Sequence, residues 1–284
     1  MQIREYSLPA GWYPRDASEV SAEISRFLSN SPSGETCSGA AVCPHAGWYY
    51  SGRIAAAGAA SLDKDADTVA VFGGHLPAGY PVLFAMEDAV MTPFGPMQID
   101  ADLRSVLQKE LDGKEDRFRD NTVEVLLPMV RYFFPDARLL WLRLPADMTS
   151  FEAGKAVSRA AAKLGRKINV VASTDLTHYG RNYGFSPQGT GPAALRWMRE
   201  VNDAAFIKAV ESGNGGEVLR RAEKDFSACS AGAVLGAMGF AEETGLDRAR
   251  LLEYGTSADT REDGEVPDSF VGYAAMAFGK REGE

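Results

Sequence analysis

The sequence predicts an α/β fold: a layered single domain over residues 1–284, with a mostly parallel, mixed central sheet flanked by helices. Three observations carry that prediction. Short apolar runs at 40–43, 67–74, 138–144 and 167–173 read as strands buried on both faces. Amphipathic or apolar stretches of helical length separate them, and such alternation is the pattern of a parallel sheet. No linker, internal repeat or low-complexity segment divides the 284 residues, so one domain is the economical reading.

Taken in order, residues 9–14 (Pro-Ala-Gly-Trp-Tyr-Pro) form an aromatic turn. Between 18 and 28, Val20, Ile24, Phe27 and Leu28 fall at helical spacing, and Asp16 or Ser18 suits the N-cap. The strand at 40–43 stops at Pro44; His45, a turn at Gly47 and an Ala-rich helix over 53–62 follow. The next strand ends in Gly73-Gly74 and His75. Residues 81–86 read as a short strand, 92–96 as a rigid turn and 100–111 as a helix. Residues 122–134 predict another helix, in which Pro128 demands a kink or a place near one end. After the strand at 138–144, the helix at 151–164 and the strand at 167–173, the chain enters Thr174-Asp-Leu-Thr-His-Tyr-Gly180. Helices at 193–210, 216–224 and 231–243 come next. Strands at 250–255 and 269–278, joined by an acidic loop without a helix, predict an antiparallel edge.

Composition narrows the function classes. A net charge of −9 with scattered Lys and Arg argues against nucleic acid, which needs clustered cations. The apolar runs are far short of a membrane span, and no signal-peptide core opens the chain, so the expected location is the cytoplasm. Three cysteines make a disulfide framework improbable. Cys43 lies in a strand and reads as a buried hydrophobe, and Cys37 as an incidental thiol in a Ser/Gly loop.

The chemistry-bearing residues cluster by position. The chain has three histidines, and His45, His75 and His178 all follow buried strands. A lone loop histidine is more often a hydrogen-bonded bystander. Three at strand ends are different, because such loops converge on one edge of a parallel sheet. Imidazoles gathered there without a phosphate loop point to a transition metal. Asp175 either orients His178 or caps the turn at 174–177. Cys229 precedes a small-residue helix; it is either core packing or a thiolate favoured by the helix dipole. Glu124, on an apolar helix, is either solvent-facing or held near the site. Trp48, Tyr49 and Tyr50, next to His45, are candidates for a substrate-binding wall.

At these residues the sequence resembles the Memo family, protein B of the AmmeMemoRadiSam system, which is similar in fold to class III extradiol ring-cleaving dioxygenases. The segments that carry the resemblance are 10–14, 44–52, 72–75, 92–95, 124–128, 173–180, Cys229 with its helix, and 269–275. Two departures stand out: Asp120-Asn121-Thr122 replaces a Glu-His-Ser step, and a shorter Gly73-Gly74-His75 replaces a Ser-His-His cluster. The resemblance implies a metal site of His45, His75 and Cys229, with His178 as acid/base and Asp175 beside it. Two imidazoles and a thiolate suit Fe(II), with Cu or Zn as other candidates. The expected function is a metal-dependent, dioxygenase-like oxidoreductase acting on a small-molecule or peptide ligand. Family association adds AMMECR1-like and radical SAM proteins as partners. Two alternatives stay open: a non-catalytic binding or scaffold protein using the same crevice, and a Cys229–His178–Asp175 hydrolase.

Overall fold

The computed structural model describes residues 1–29, 38–246 and 248–280, so Cys37 lies outside the described residues. Its first part holds β1 (Ile3–Arg4), α1 (Ala17–Ser29), β2 (Ala40–Cys43), α2 (Trp48–Ala60), β3 (Thr68–Leu76), β4 (Leu83–Phe84), β5 (Ala89–Val90) and β6 (Met97–Gln98). Then come α3 (Ala101–Glu110), β7 (Lys114–Glu115), α4 (Asn121–Glu124), α5 (Leu127–Phe133), β8 (Arg138–Pro145), α6 (Thr149–Lys163), β9 (Ile168–Ser173) and β10 (His178–Gly180). The rest comprises α7 (Pro192–Trp197), α8 (Ala204–Glu211), α9 (Gly215–Asp225), α10 (Ala231–Thr244), β11 (Arg248–Thr256) and β12 (Ser269–Gly279).

Nine strands form the main sheet in the order β10-β12-β2-β9-β3-β8-β4-β7, with β11 paired to β12. Its centre, β2-β9-β3-β8, is parallel. The last two strands make the antiparallel margin expected from their helix-free connection. Alternate residues of the central strands face two different cores. Val42, Phe72 and Leu142 pack with α6 and α10, while Ala41, Val71 and Trp141 pack with α1, α2 and α5. Burial on both faces explains why these strands read as continuous apolar runs. Among the described residues, no helix is long and apolar enough to cross a membrane.

Where structure and sequence reading differ, local chemistry accounts for it. The helix expected at 53–62 begins at Trp48, because Gly47 sits in extended backbone and supplies the first turn's carbonyl to Tyr50 and Ser51. The helix expected over 122–134 splits in two, and Pro128 sits in the first turn of α5, where its missing N–H costs nothing. Residues 193–210 remain helical but pass through a π segment, Met198–Asp203. His178 opens a short strand instead of lying in a loop. The three-stranded sheet β1-β5-β6 has two-residue strands, too short to show any periodicity.

Candidate metal centre

The carboxyl ends of the parallel strands build the site. His45 stands two residues beyond β2, Ser173 ends β9, and His75 is the penultimate residue of β3. Cys229 comes from the far side of the sheet, just before the Ser230 N-cap of α10. The helix reaches the sheet because glycines let it. A Cβ on Gly232 of α10 would lie 2.2 Å from the Pro145 carbonyl oxygen of β8, and one on Gly74 of β3 2.3 Å from Ser230 Cβ.

His75 is placed by a bulge. Pairing of β3 with β8 slips between Gly73 and Leu76, and His75 takes a left-handed backbone conformation, φ 58°. Non-glycine residues seldom adopt that conformation, and they cluster at functional sites when they do. The bulge turns the imidazole toward His45, with ring centroids 5.0 Å apart at 87°.

Among the described residues, His45, His75 and Cys229 form the one cluster of three or more such donors close enough to share an ion, their ligand atoms all within 4.8 Å of one another. Hydrogen bonds decide which atoms remain free. His45 Nδ1 lies 2.9 Å from Ser173 Oγ, which leaves Nε2, 3.2 Å from Cys229 Sγ. His75 Nδ1 lies 3.0 Å from Asp120 Oδ2, again leaving Nε2. Two imidazole Nε2 atoms facing one sulfur are a donor set that suits a borderline or soft transition metal.

The electrostatics agree with that donor set. Burial opposes the Cys229 thiolate, yet His45 and His75 together hold the thiol well below its ordinary range. Burial also opposes charge on His75, but hydrogen bonds from the ring to Asp120 and Cys229 raise it to about 10. His45 follows the same balance, with Asp175 and Cys229 outweighing burial to raise it. Cys43, by contrast, is fully buried in the sheet and pushed up to about 12.

His45 and His75 open into a cleft of about 900 Å³, whose lining also includes Asp175, His178, Tyr49 and Tyr183. His178 therefore joins the site without joining the donor cluster. Its Nδ1 lies 3.2 Å from the Leu176 carbonyl oxygen and its ring packs edge-on against Tyr183. Asp175 neither caps the turn nor hydrogen-bonds His178. Its carboxylate accepts the His45 backbone N–H at 2.7 Å, and Oδ2 lies 3.9 Å from His45 Nε2. The alternative Cys229–His178–Asp175 triad is thus corrected: the imidazole beside the thiol is His45, whose Nε2 lies 3.2 Å from Cys229 Sγ.

Trp48, a candidate for the wall, and Glu124, a candidate for a place near the site, sit behind the cleft. Trp48 is buried against Tyr13 and Phe27 and donates Nε1–H to the Val125 carbonyl. The Glu124 carboxylate accepts from Ser7, the Leu8 backbone and Tyr13 OH, so it anchors the segment whose Ala10, Gly11 and Trp12 do line the cleft. Sequence reasoning missed Ser173 and Asp120 as parts of the site. Asp120 caps α4 by accepting the Thr122 N–H with one oxygen, and its other oxygen accepts from His75.

Comparison with known proteins places this chain in a family. The family profile described as Memo-like protein matches residues 4–277. A MEMO1 family protein of Methanococcoides burtonii is 35% identical over 244 residues, covering 83% of this chain and 84% of its own. One from Methanosarcina acetivorans is 30% identical over 282 residues, covering 97% and 99%. Among solved structures, the uncharacterized protein JW3007 from Escherichia coli K12 aligns with a TM-score of 0.45 and 15% identity, covering 78% of this chain and 89% of that one.

Proposed function

The chain belongs to the Memo-like protein family, and from the geometry of its cleft we propose that it is a metal-dependent redox enzyme holding one transition-metal ion, Fe(II) before Cu or Zn, on His45, His75 and Cys229. The observation that carries this reading is the convergence of the two Nε2 atoms and the thiolate sulfur. Fe(II) there would supply a redox-active centre with coordination positions left open toward the cleft.

The other residues have separable tasks. The Leu176 carbonyl takes the His178 Nδ1–H, so Nε2 is the atom able to accept a substrate proton. Asp175 fixes the His45 backbone and puts negative charge beside the imidazole. Tyr49 and Tyr183 offer ring faces and hydroxyls to a small-molecule or peptide ligand.

Metal analysis of protein purified without chelator or affinity metal tests the reading. About one ion per chain is expected, as for a single three-ligand site. The H45A/C229A double variant should lose it, whereas H178Q should keep it. Equal metal in wild type and double variant overturns the proposal.

The 3.2 Å contact of Cys229 Sγ with His45 Nε2 favours one second reading, a cysteine nucleophile with His45 as its base. Under that reading chelated protein cleaves an activated ester and added metal inhibits it. The metal reading predicts no turnover of such a substrate by chelated protein.

A further inference from the structure

Arg143 is a cation where the fold has no packing use for one. It lies on β8 among Leu139, Leu140, Trp141, Leu142 and Leu144, all buried, and is itself only 3% exposed. A buried charge is tolerated only when paired and hydrogen-bonded. It has three partners. Nη1 lies 3.3 Å from Asp116 Oδ1, Nη2 3.1 Å from Asp120 Oδ2, and Nε donates to the Gly74 carbonyl at 3.0 Å.

Two of those partners bear directly on His75. Asp120 Oδ2 also takes the His75 Nδ1–H at 3.0 Å. Gly74 is the residue before His75, and its peptide is held at both ends. Arg143 binds its carbonyl, and Thr122 Oγ1 accepts its N–H at 3.2 Å while donating to Asp120 Oδ1. The bulge and the left-handed His75 need such over-determination, since unfavourable backbone persists only where its surroundings impose it.

We propose that the Arg143–Asp120 pair is the positioning device of His75: it imposes the bulge, fixes the Nδ1–H tautomer, and so aims Nε2 at Cys229 and sets the metal affinity of the site. The inference rests on the metal-centre reading above. A carboxylate behind a ligating imidazole orients the ring and raises its basicity. Here the carboxylate is in turn fixed by a buried guanidinium, which keeps the ring from swinging into the cleft.

D120N isolates this role, because asparagine keeps the size and is an equally good cap for α4. Co(II) is titrated into metal-free full-length protein against a chromophoric chelator, for wild type, D120N, H75A, H75A/D120N and H45A, with thermal unfolding of each apo protein alongside. D120N should weaken Co(II) binding by about 10–100-fold, the range for such supporting partners. The sulfur-to-Co(II) charge-transfer band should remain, the d–d bands should change, and the apo protein should still unfold cooperatively, at a lower midpoint because Arg143 keeps only Asp116 as a carboxylate partner. In the H75A background D120N should have no further effect, since coupling vanishes when the shared partner is gone. D120N binding within threefold of wild type with an unchanged spectrum overturns the positioning role. Wild type and H45A binding Co(II) equally weakly overturns the metal centre itself, and the positioning role with it.

Discussion

Cys229 and Cys43 show how far position alone separates two identical side chains. The Cys43 thiol is buried in β2 with no cation near it, and burial raises it to about 12. Cys229 is half-buried beside two imidazoles that lower it well below 9.0. A thiol with an ordinary value reacts faster by about tenfold per pH unit below about 8.5, because only the thiolate attacks. In a C37S background, iodoacetamide should modify metal-free Cys229 at a rate nearly flat between about pH 6 and pH 8, and leave Cys43 untouched. Bound Zn(II) should protect Cys229. A rate rising tenfold per pH unit would show that the imidazoles do not hold the thiolate. Apart from the family resemblance, Cys229 was visible in the sequence only as a choice between core and thiolate, because its deciding neighbours come from the ends of β2 and β3, far away in the chain.

At the scale of elements, α10 and the π segment carry the supports. Gly239 and Gly154 bring α10 onto α6, and Gly154 has no room for a methyl group. G154A should destabilise the protein by about 1–3 kcal/mol, the usual cost of overpacking. It should also weaken metal binding by moving Ser230 and Cys229 with the helix; an unchanged thermal midpoint would refute this. The π segment ends at Asp203, fully buried, whose carboxylate accepts from the Thr177 backbone, Thr177 Oγ1 and Tyr254 OH. Burial outweighs those bonds and raises it from 3.8 to about 7. An acid raised in the folded state binds its proton more tightly there, so stability falls as pH climbs from about 4 to about 7 and is level beyond. Urea unfolding should show that decline in wild type, and D203N should flatten it. A parallel pH slope in D203N would mean that Asp203 is ionised throughout. The helix containing this segment was legible from its apolar spacing, but the π turn was not, because it changes backbone winding without changing residue type.

For the molecule as a whole, the doubly buried parallel strands and their alternation with helices were readable from Ala40 to Ser173, since burial on both faces leaves uninterrupted apolar runs. The histidines were readable because strand ends in such a sheet share an edge. Ser173, Asp120 and Arg143 were not, because a hydrogen-bonding partner across the sheet leaves no spacing signal. An ion bound at about 100 times its dissociation constant adds about 2.7 kcal/mol to stability. For a protein of this size that corresponds to a midpoint rise of about 4–5 °C, reversed by chelator. No shift in wild type at saturating Fe(II) or Zn(II) would mean that the site takes no ion.

The most direct test of the central claim is X-ray absorption at the metal edge of the loaded protein. Two imidazole nitrogens at about 2.0–2.1 Å and one sulfur at about 2.3 Å are predicted for Zn(II), from ordinary bond lengths to His and Cys. A first shell without sulfur, or an unchanged spectrum in C229S, would contradict the account.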